Sequence, residues 1–394
     1  MHMNPSNTSP SGTAHDASLA LCILGDSDLR LFGKRLPERI AVQFARAGLA
    51  QRISADEARN HTGPVIAVRA DAVLDQPLVT GLMQTPNLLL LASEGDVPVA
   101  AHVTADQLPA VQASMLGGNL PNLPGVMARK PSQLDVSFWK ALRKRETPYA
   151  LVVTPATAEA IAWRVFMGTY KGATDLVTKH VWPRPAFVVT QFLAARAITP
   201  NMVTSVAAVA TVAAFFLFLQ GQFGWGLLAA WLMTFLDTVD GKLARTTLTS
   251  SKWGDVFDHG IDLVHPPFWY IAWAVGLSAW GLGLDASLFW WLTGIILGGY
   301  VLQRVMEGIS IKWLGLEIHI WRRIDTFFRQ ITARRNPNLI LLSIGWLVGR
   351  PDWGLVAVAT WTAICLLLHG LQLAQGLAAK RKAGGKLSSW MAQA

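Results

Sequence analysis

The hydrophobic pattern divides the chain into a front part with short apolar runs and a back part with long ones. In the front part, apolar runs alternate with amphipathic stretches, and none of the runs is long enough to cross a bilayer. This alternation predicts a soluble α/β domain over residues 18–160, with a mainly parallel sheet covered by helices. The predicted strands are Leu19–Leu24, Pro64–Val68, Leu88–Leu91, Val97–Val103 and Ala150–Val153.

Amphipathic stretches predict helices over Glu38–Ala47 and Ser137–Arg145. Residues 1–17 are rich in Asn, Ser, Pro, Gly and Thr, a composition that is typical of a disordered tail. Residues 161–200 form a junction with a predicted amphipathic helix that carries several basic side chains. Such a helix suits the membrane surface and also a solvated linker, and both interpretations are open.

Residues 201–380 contain six long hydrophobic stretches, which predict an all-α bundle of six membrane-spanning helices. A helix needs about 20 residues to cross the hydrocarbon core, and the fifth stretch is the short one. The stretches are roughly 202–220, 225–247, 255–279, 286–306, 337–349 and 354–377.

Basic residues are concentrated in some of the connections between these stretches. Residues 221–225 and 278–287 contain no Lys or Arg, whereas residues 307–336 and the tail 381–394 contain several. The positive-inside rule then places both termini on the cytoplasmic side of the inner (cytoplasmic) membrane. An even number of spans also requires both termini to lie on one side.

Composition supports a membrane protein and excludes other classes. Hydrophobic residues make up 52% of the chain and charged residues only 15%, whereas about 25% charged residues is usual. The net charge of +9 fits cytoplasmic loops that face anionic lipids. No basic helix with a recognisable reader motif occurs, so nucleic acid is not an expected partner. Two cysteines allow neither a disulfide framework nor a cysteine-rich metal site.

Four aspartates lie where charges are costly, at the adjoining ends of the second and third stretches. Asp237 and Asp240 are three residues apart, and Asp258 and Asp262 are four apart. Each pair therefore lies on one face of a helix. A short polar turn joins the two helices as an antiparallel hairpin, so the four carboxylates can converge near the cytoplasmic side.

Carboxylates that converge in a low dielectric require cations or shifted pKa values. Oxygen ligands favour Mg²⁺, Mn²⁺ or Ca²⁺ over Zn²⁺, and two such ions would make a site for a pyrophosphate substrate. Helix capping is the structural alternative, which is disfavoured because acids inside membranes are usually functional. A divalent-cation transporter is a further alternative, but transport gives no role to the small residues between the aspartates.

The segment Asp237–Asp262 reads DTVDGKLARTTLTSSKWGDVFDHGID and resembles the signature of the CDP-alcohol phosphatidyltransferase family, D-x-x-D-G-x-x-A-R-x8-G-x3-D-x3-D. Every fixed position is met, and the resemblance covers roughly residues 165–380. It implies an enzyme of phospholipid or polyol-phosphate biosynthesis. The implied reaction transfers a phosphate-linked alcohol group, here a phosphatidyl group, from a CDP-alcohol to a second alcohol and releases CMP.

The resemblance also implies a role for each aspartate. Two Mg²⁺ ions, or Mn²⁺ in their place, are implied at Asp237, Asp240, Asp258 and Asp262. Asp258 and Asp262 are the implied catalytic residues, with Asp262 as the general base. The implied donor is CDP-diacylglycerol or a soluble CDP-polyol, the acceptor is an alcohol, and the enzyme is a homodimer among membrane lipids.

Two further groups of residues follow from the resemblance. Residues that are implied to bind CDP are Asn201, Thr204, Asp240, Gly241, Ala244, Arg245 and Gly254. The alternatives are close helix packing for the small residues, an ordinary helix start for Asn201 and Thr204, and positive-inside charge for Arg245. Arg329, Arg334 and Arg335 precede the fifth stretch. They suit an anionic acceptor or the donor phosphates, and they equally suit positive-inside charge.

The front part resembles the sugar-nucleotidyltransferase-like domain of bifunctional enzymes that make CDP-inositol and then use it. In Val65–Asp75, Asp71 matches a metal-binding aspartate at the end of a strand. The expected Gly-rich phosphate loop is replaced by Leu24–Arg30, in which Gly25 is the single glycine. Few backbone N–H groups can then reach a triphosphate. This favours a degenerate, non-catalytic domain, with an active cytidylyltransferase as the alternative.

Overall fold

The structure is a computed structural model. It describes residues 19–117, 120, 123–134, 138, 139, 142, 144–385 and 387–393, without the side chains of Arg59, Phe138, Trp139, Lys252, Asp255, Asp258, His259 and Gln393. The disordered tail that the sequence predicts over residues 1–17 lies outside this part of the chain.

The chain divides into two compact units. The front unit comprises Met1–Ser137 and Glu146–Arg164, and the back unit comprises Phe138–Arg145 and Val165–Ala394. The strands are β1 (Ala20–Leu24), β2 (Arg30–Leu31), β3 (Lys34–Arg35), β4 (Arg52–Ile53), β5 (Pro64–Arg69), β6 (Ala72–Leu74), β7 (Leu88–Leu91), β8 (Pro98–Thr104), β9 (Met127–Arg129), β10 (Phe138–Trp139), β11 (Lys144–Arg145) and β12 (Ala150–Val152). The helices are α1 (Leu36–Arg46), α2 (Ala55–Arg59), α3 (Gln76–Gln84), α4 (Leu108–Gly117), α5 (Ala158–Gly168), α6 (Pro183–Ala195), α7 (Pro200–Leu219), α8 (Phe223–Thr246), α9 (Lys252–Gly276), α10 (Ala286–Ile309), α11 (Arg323–Phe328), α12 (Arg335–Leu347), α13 (Pro351–Ala383) and α14 (Trp390–Gln393).

The front unit is built on a six-stranded sheet in the order β4-β1-β5-β8-β7-β9. All five predicted strands are present, and apolar clusters cover both faces of the sheet. The sheet is mixed, not mainly parallel, because β8 runs antiparallel to both β5 and β7. Residues 92–97 connect β7 to β8, and so short a connection allows a hairpin but not a parallel crossover.

The predicted helix at Ser137–Arg145 is wrong. The chain forms the antiparallel pair β10–β11 there, with Phe138 opposite Arg145 and Trp139 opposite Lys144. The Lys144 amine donates a hydrogen bond to the carbonyl of Gly168, 2.5 Å away, at the end of α5. Pairing and a contact distant in sequence therefore override the local helical pattern.

Helices of the back unit coincide with the predicted hydrophobic stretches. Helices α7, α8, α9, α10, α12 and α13 begin and end within a few residues of them, apart from α13, which continues to Ala383. Within the described part of the chain, three helical segments are long and apolar enough to cross a membrane. They are Pro200–Leu219, Ala286–Leu314 and Pro351–Ala383. The back unit is therefore helical and membrane-associated, and a bundle of six spans remains a prediction.

Helices α7 and α9 approach each other closely at one end. The Trp269 indole donates a hydrogen bond to the Thr211 carbonyl at 3.0 Å, and Trp273 packs edge to face against Phe218 of α7 with ring centroids 5.1 Å apart. A Cβ added at Gly276 would lie 1.9 Å from the Phe218 carbonyl oxygen. The end of α9 therefore fits against α7 only because residue 276 has no side chain.

Substitution of Gly276 tests this close approach. Gly276→Ala should force α9 away from α7 and cost about 1–3 kcal/mol of stability. The measurement is the midpoint of thermal unfolding of the purified protein in detergent. Gly294→Ala on α10 is the matched control, because nothing lies within 4 Å of an added Cβ there. Equal midpoints for the two variants would contradict the close approach.

Candidate active site

The segment with the aspartates forms the end of α8, a short turn and the start of α9. Leu248 in the turn has a positive φ of 58°. The Ser251 hydroxyl accepts a hydrogen bond from the Gly254 N–H at 3.1 Å, which caps the first turn of α9. Both helices pack mainly on α7, not on each other. Helix α7 is therefore the scaffold that brings the two halves of the motif together.

Arg335 connects the two halves of the motif. Its guanidinium, at the start of α12, donates to Asp237 Oδ2 on α8 and to Asp262 Oδ1 on α9. The Arg335 side chain is 15% exposed, compared with 18% for Asp237 and 36% for Asp262. Because these side chains are largely shielded from water, the pairing of Arg335 with Asp237 and Asp262 compensates charges that would otherwise be costly to bury. Asp262 is the more accessible of the two carboxylates.

Asp240 is more deeply buried and is held differently. It is 3% exposed, and its Oδ2 accepts a hydrogen bond from the Thr204 hydroxyl of α7 at 2.6 Å. Its Oδ1 has no hydrogen-bond partner among the described residues. A buried carboxylate oxygen without a donor is costly, so this atom is suited to meet a cation.

Asp262 lies just before two prolines of α9, Pro266 and Pro267. Pro267 has no N–H to donate to the carbonyl of Leu263 one turn earlier. The Tyr300 hydroxyl of α10 donates to that carbonyl instead, at 2.8 Å. This bond ties α10 to the part of α9 that presents Asp262.

The small residues of the motif lie against polar groups. A Cβ added at Gly241 would lie 2.9 Å from Nη2 of Arg245, and one added at Gly254 would lie 3.1 Å from Oδ1 of Asn201. Asn201 is thus brought to the start of α9, and the Arg245 guanidinium folds over Gly241. A side chain at residue 241 would push that guanidinium away.

A cavity of about 480 Å³ opens beside these residues. Predicted site residues that line it are Asp237, Gly241, Ala244, Arg245, Asp262, Arg329, Arg334 and Arg335. Asp240, Asn201, Thr204 and Gly254 are not among the described residues that line it. Asp258 is on α9, one turn before Asp262 in the sequence, and its side chain lies outside the described part of the structure.

A charged cluster that the sequence interpretation missed forms another wall of the cavity. Glu307 of α10 accepts hydrogen bonds from Arg304, at 3.1 Å, and from Arg334. His319 Nε2 lies 3.2 Å from the Glu307 carboxylate. Burial lowers the pKa of His319 to about 3, so the ring is neutral at pH 7. The available signal was the pair of charges three residues apart near the end of an apolar helix.

Arg329 is the least satisfied cation of the cavity. Its Nε and Nη1 are buried and have no hydrogen-bond partner among the described residues. Burial and the neighbouring Arg334 lower the pKa of Arg329 to about 9, so the guanidinium is still charged at pH 7. A charged guanidinium with unused donors is suited to receive a phosphate or carboxylate.

The aspartates are candidate ligands for divalent cations. Among the described side chains, no three of the His, Cys, Asp and Glu residues lie close enough together to hold an ion. The donor set fits such an ion all the same. It consists of oxygen ligands, includes the unpartnered Oδ1 of Asp240, and already attracts one cation, the guanidinium of Arg335.

Comparisons with known proteins place the same residues in one domain. Residues 197–366 match the family model described as CDP-alcohol phosphatidyltransferase. Over 95 residues, the chain is 35% identical to a phosphatidylinositol phosphate synthase from Streptomyces avermitilis. That match covers 24% of this chain and spans 37% of the length of the relative. The four aspartates and the three predicted arginines all lie inside the family-matched segment.

Removal of Arg335 tests the charge balance of the site. Arg335→Gln should remove the cation that pairs with both Asp237 and Asp262, and breaking a buried pair costs about 3–5 kcal/mol. We expect a lower midpoint of thermal unfolding in EDTA and a partial recovery in Mg²⁺. Arg350→Gln, which removes the partner of Asp352 at the start of α13, is the control and should have little effect. A midpoint for Arg335→Gln that equals the control in EDTA would contradict this charge balance.

Proposed function

We propose that the CDP-alcohol phosphatidyltransferase domain at residues 197–366 transfers a phosphatidyl group from CDP-diacylglycerol to a hydroxyl of a phosphorylated polyol. The observation that carries the proposal is the shared cavity. Asp237 and Asp262 line it together with the arginine cluster of Arg304, Arg329 and Arg334. One wall is thus suited to cations and a pyrophosphate, and another is suited to an anionic acceptor.

The proposed acceptor is an inositol phosphate. A phosphate monoester carries up to two negative charges and accepts several hydrogen bonds. The unused donors of Arg329 and the neighbouring guanidiniums supply the complement. The name of the Streptomyces avermitilis relative, phosphatidylinositol phosphate synthase, supports this acceptor.

The proposed divalent cations, Mg²⁺ or Mn²⁺, would be held by Asp237, Asp240, Asp258 and Asp262. When bound, they would neutralise the pyrophosphate of the donor and stabilise the departing CMP. Of these four residues, Asp240 is also fixed by Thr204. Arg245 and Gly241, which line the cavity, are proposed to contact the CDP moiety, and so are Asn201 and Gly254, which lie close to each other.

Asp262 is the proposed general base. The acceptor hydroxyl oxygen attacks the phosphorus that bears the diacylglycerol, and its proton passes to the Asp262 carboxylate. The bond between that phosphorus and the CMP oxygen breaks, and CMP leaves with the electron pair. Asp262 suits the role because it lines the cavity and is more exposed than Asp237.

We place this chemistry at the cytoplasmic surface of a membrane, with six spans and both termini on the cytoplasmic side. The six helices that match the hydrophobic stretches support this topology, and so do the basic residues around Arg322 and at the end of α13. A homodimer is a further part of the proposal, supported by the family resemblance alone.

For the front unit we propose a non-catalytic role. Asp71, the candidate metal ligand, is paired with Arg69 through two hydrogen bonds of 2.8 and 2.9 Å. In the loop after β1, Asp26 and Asp28 are paired with Arg35. Triphosphate binding would have to displace these contacts. Formation of CDP-inositol from CTP and inositol phosphate would contradict this role and support a bifunctional enzyme.

The reaction itself is tested by release of CMP. Purified protein in detergent with Mg²⁺, CDP-diacylglycerol and inositol phosphate should release CMP, and EDTA should abolish the release. Asp262→Asn should lower kcat at least about 100-fold, because the base is lost. Asp352→Asn, at the start of α13, is the matched control and should retain activity. Release that requires a soluble CDP-polyol would contradict a phosphatidyl donor, and no release with either donor would contradict the reaction.

The proposed binding of the acceptor by the arginine cluster is tested by Arg329→Gln. Loss of a charged donor should raise the KM for inositol phosphate about tenfold or more and leave the KM for CDP-diacylglycerol nearly unchanged. Arg323→Gln is the control, because Arg323 is exposed and lies over the ring of Trp390. If unphosphorylated inositol served the wild type as well as inositol phosphate does, the proposed acceptor would be wrong.

A further inference from the structure

One wall of the cavity comes from a segment that precedes the family-matched domain. The cavity is lined there by Tyr170, Lys171, Ala173, Thr174, Asp175 and Thr178, and the family match begins only at residue 197. These six residues, named here the junction wall, belong to the same back unit as the motif helices. The substrate cavity is therefore larger than the matched domain alone would make it.

The junction wall is fixed to the segment 329–336, which contains Arg329, Arg334 and Arg335. The Asn336 amide donates to Asp175 Oδ1 at 2.9 Å, and the same oxygen accepts from the Thr178 N–H at 3.0 Å. The Leu176 N–H donates to the Gln330 carbonyl at 2.9 Å. Contacts from Gln330 and Asn336, near the two ends of this segment, therefore hold the wall in place beside the cavity.

Tyr170 is the residue of this wall with an unused polar group. It is only 8% exposed, and its hydroxyl oxygen has no hydrogen-bond partner among the described residues. Buried tyrosine hydroxyls usually have a partner. The hydroxyl of Tyr170, a residue that lines the cavity, is suited to a partner that the ligand brings.

The ring of Tyr170 is held against the motif helix. The Lys242 amine lies 3.1 Å from the ring centroid and donates to the Thr169 carbonyl at 3.2 Å. Phe166 contacts the ring edge, with centroids 5.6 Å apart. Lys242 follows Gly241 on α8 and lies one helical turn from Arg245. These contacts therefore place Tyr170 beside the residues that are proposed to bind the CDP group.

The phenol of Tyr170 is available as a hydrogen-bond donor. Burial raises the pKa of Tyr170 well above its ordinary value, and nearby Arg245 offsets only part of that rise. The hydroxyl is therefore protonated at neutral pH. Its complement is an acceptor atom with negative charge, such as a phosphate oxygen that Arg245 also attracts.

We propose that Tyr170 is a donor-binding residue whose hydroxyl donates a hydrogen bond to a phosphate oxygen of the CDP-alcohol beside Arg245. The inference rests on the proposed function, since it assumes that a cytidine diphosphate group occupies the cavity. It also extends the binding machinery to a residue outside the family-matched segment.

Binding of CDP tests the inference without any turnover. Isothermal titration of the full-length protein in detergent with Mg²⁺ and CDP should show about tenfold weaker binding for Tyr170→Phe than for the wild type. Tyr149→Phe is the matched control, because Tyr149 is equally buried but belongs to the front unit. Its CDP affinity should equal that of the wild type. Thermal unfolding of each variant verifies that it is folded.

The kinetics distinguish this contact from a structural role. Tyr170→Phe should raise the KM for CDP-diacylglycerol about tenfold and leave the KM for inositol phosphate unchanged. Wild-type affinity for CDP in Tyr170→Phe would overturn the inference while leaving the proposed function intact. CDP binding without CMP release from any donor would overturn the proposed function. The ratio of the CDP affinities of the wild type and Tyr170→Phe would still decide the role of Tyr170. If the wild type does not bind CDP, both fail.

Discussion

Compensation of buried charge around Asp237 and Asp262 is the constraint on which the back unit depends. Two carboxylates from different helices share one guanidinium, that of Arg335, which comes from a third helix. None of these charges would be stable in a sheltered site alone. The pairing therefore fixes where α8, α9 and α12 meet, and it defines one side of the cavity. On another side of the cavity the charges are reversed. There the guanidiniums of Arg304 and Arg334 share one carboxylate, that of Glu307.

Such an arrangement suits a reaction between two phosphate-bearing substrates. In the proposed transfer, a pyrophosphate and a phosphate monoester must lie a few ångströms apart, although both are negatively charged. Cations at the aspartates and arginines at the opposite wall would reduce that repulsion and orient both groups. The Oδ1 of Asp240 and the Nε and Nη1 of Arg329 are buried atoms that have no hydrogen-bond partner among the described residues. They are also the atoms at which charged ligands would gain most.

Hydrophobic length and motif spacing predicted the parts of the structure that depend on local sequence. The six helices and the turn between α8 and α9 follow directly from those patterns. Contacts between residues that are distant in the sequence explain the features that the hydrophobic pattern did not predict. Pairing of Phe138 and Trp139 with residues 144 and 145 replaced a predicted helix, and β8 reversed part of the sheet. Arg304, Glu307 and Tyr170 line the cavity only because folding brings together segments that are distant in the sequence.

The most direct test of this account is a structure of the protein with Mn²⁺ and CDP, in which anomalous scattering locates the metal. The account predicts ions bound to oxygens of Asp237, Asp240 and Asp262, about 2.0–2.6 Å away as for oxygen-ligated divalent ions, with the Arg335 guanidinium displaced from at least one carboxylate. The CDP phosphates should lie between those ions and Arg245. An unchanged pairing of Arg335 with both aspartates, and ions found only elsewhere, would contradict it.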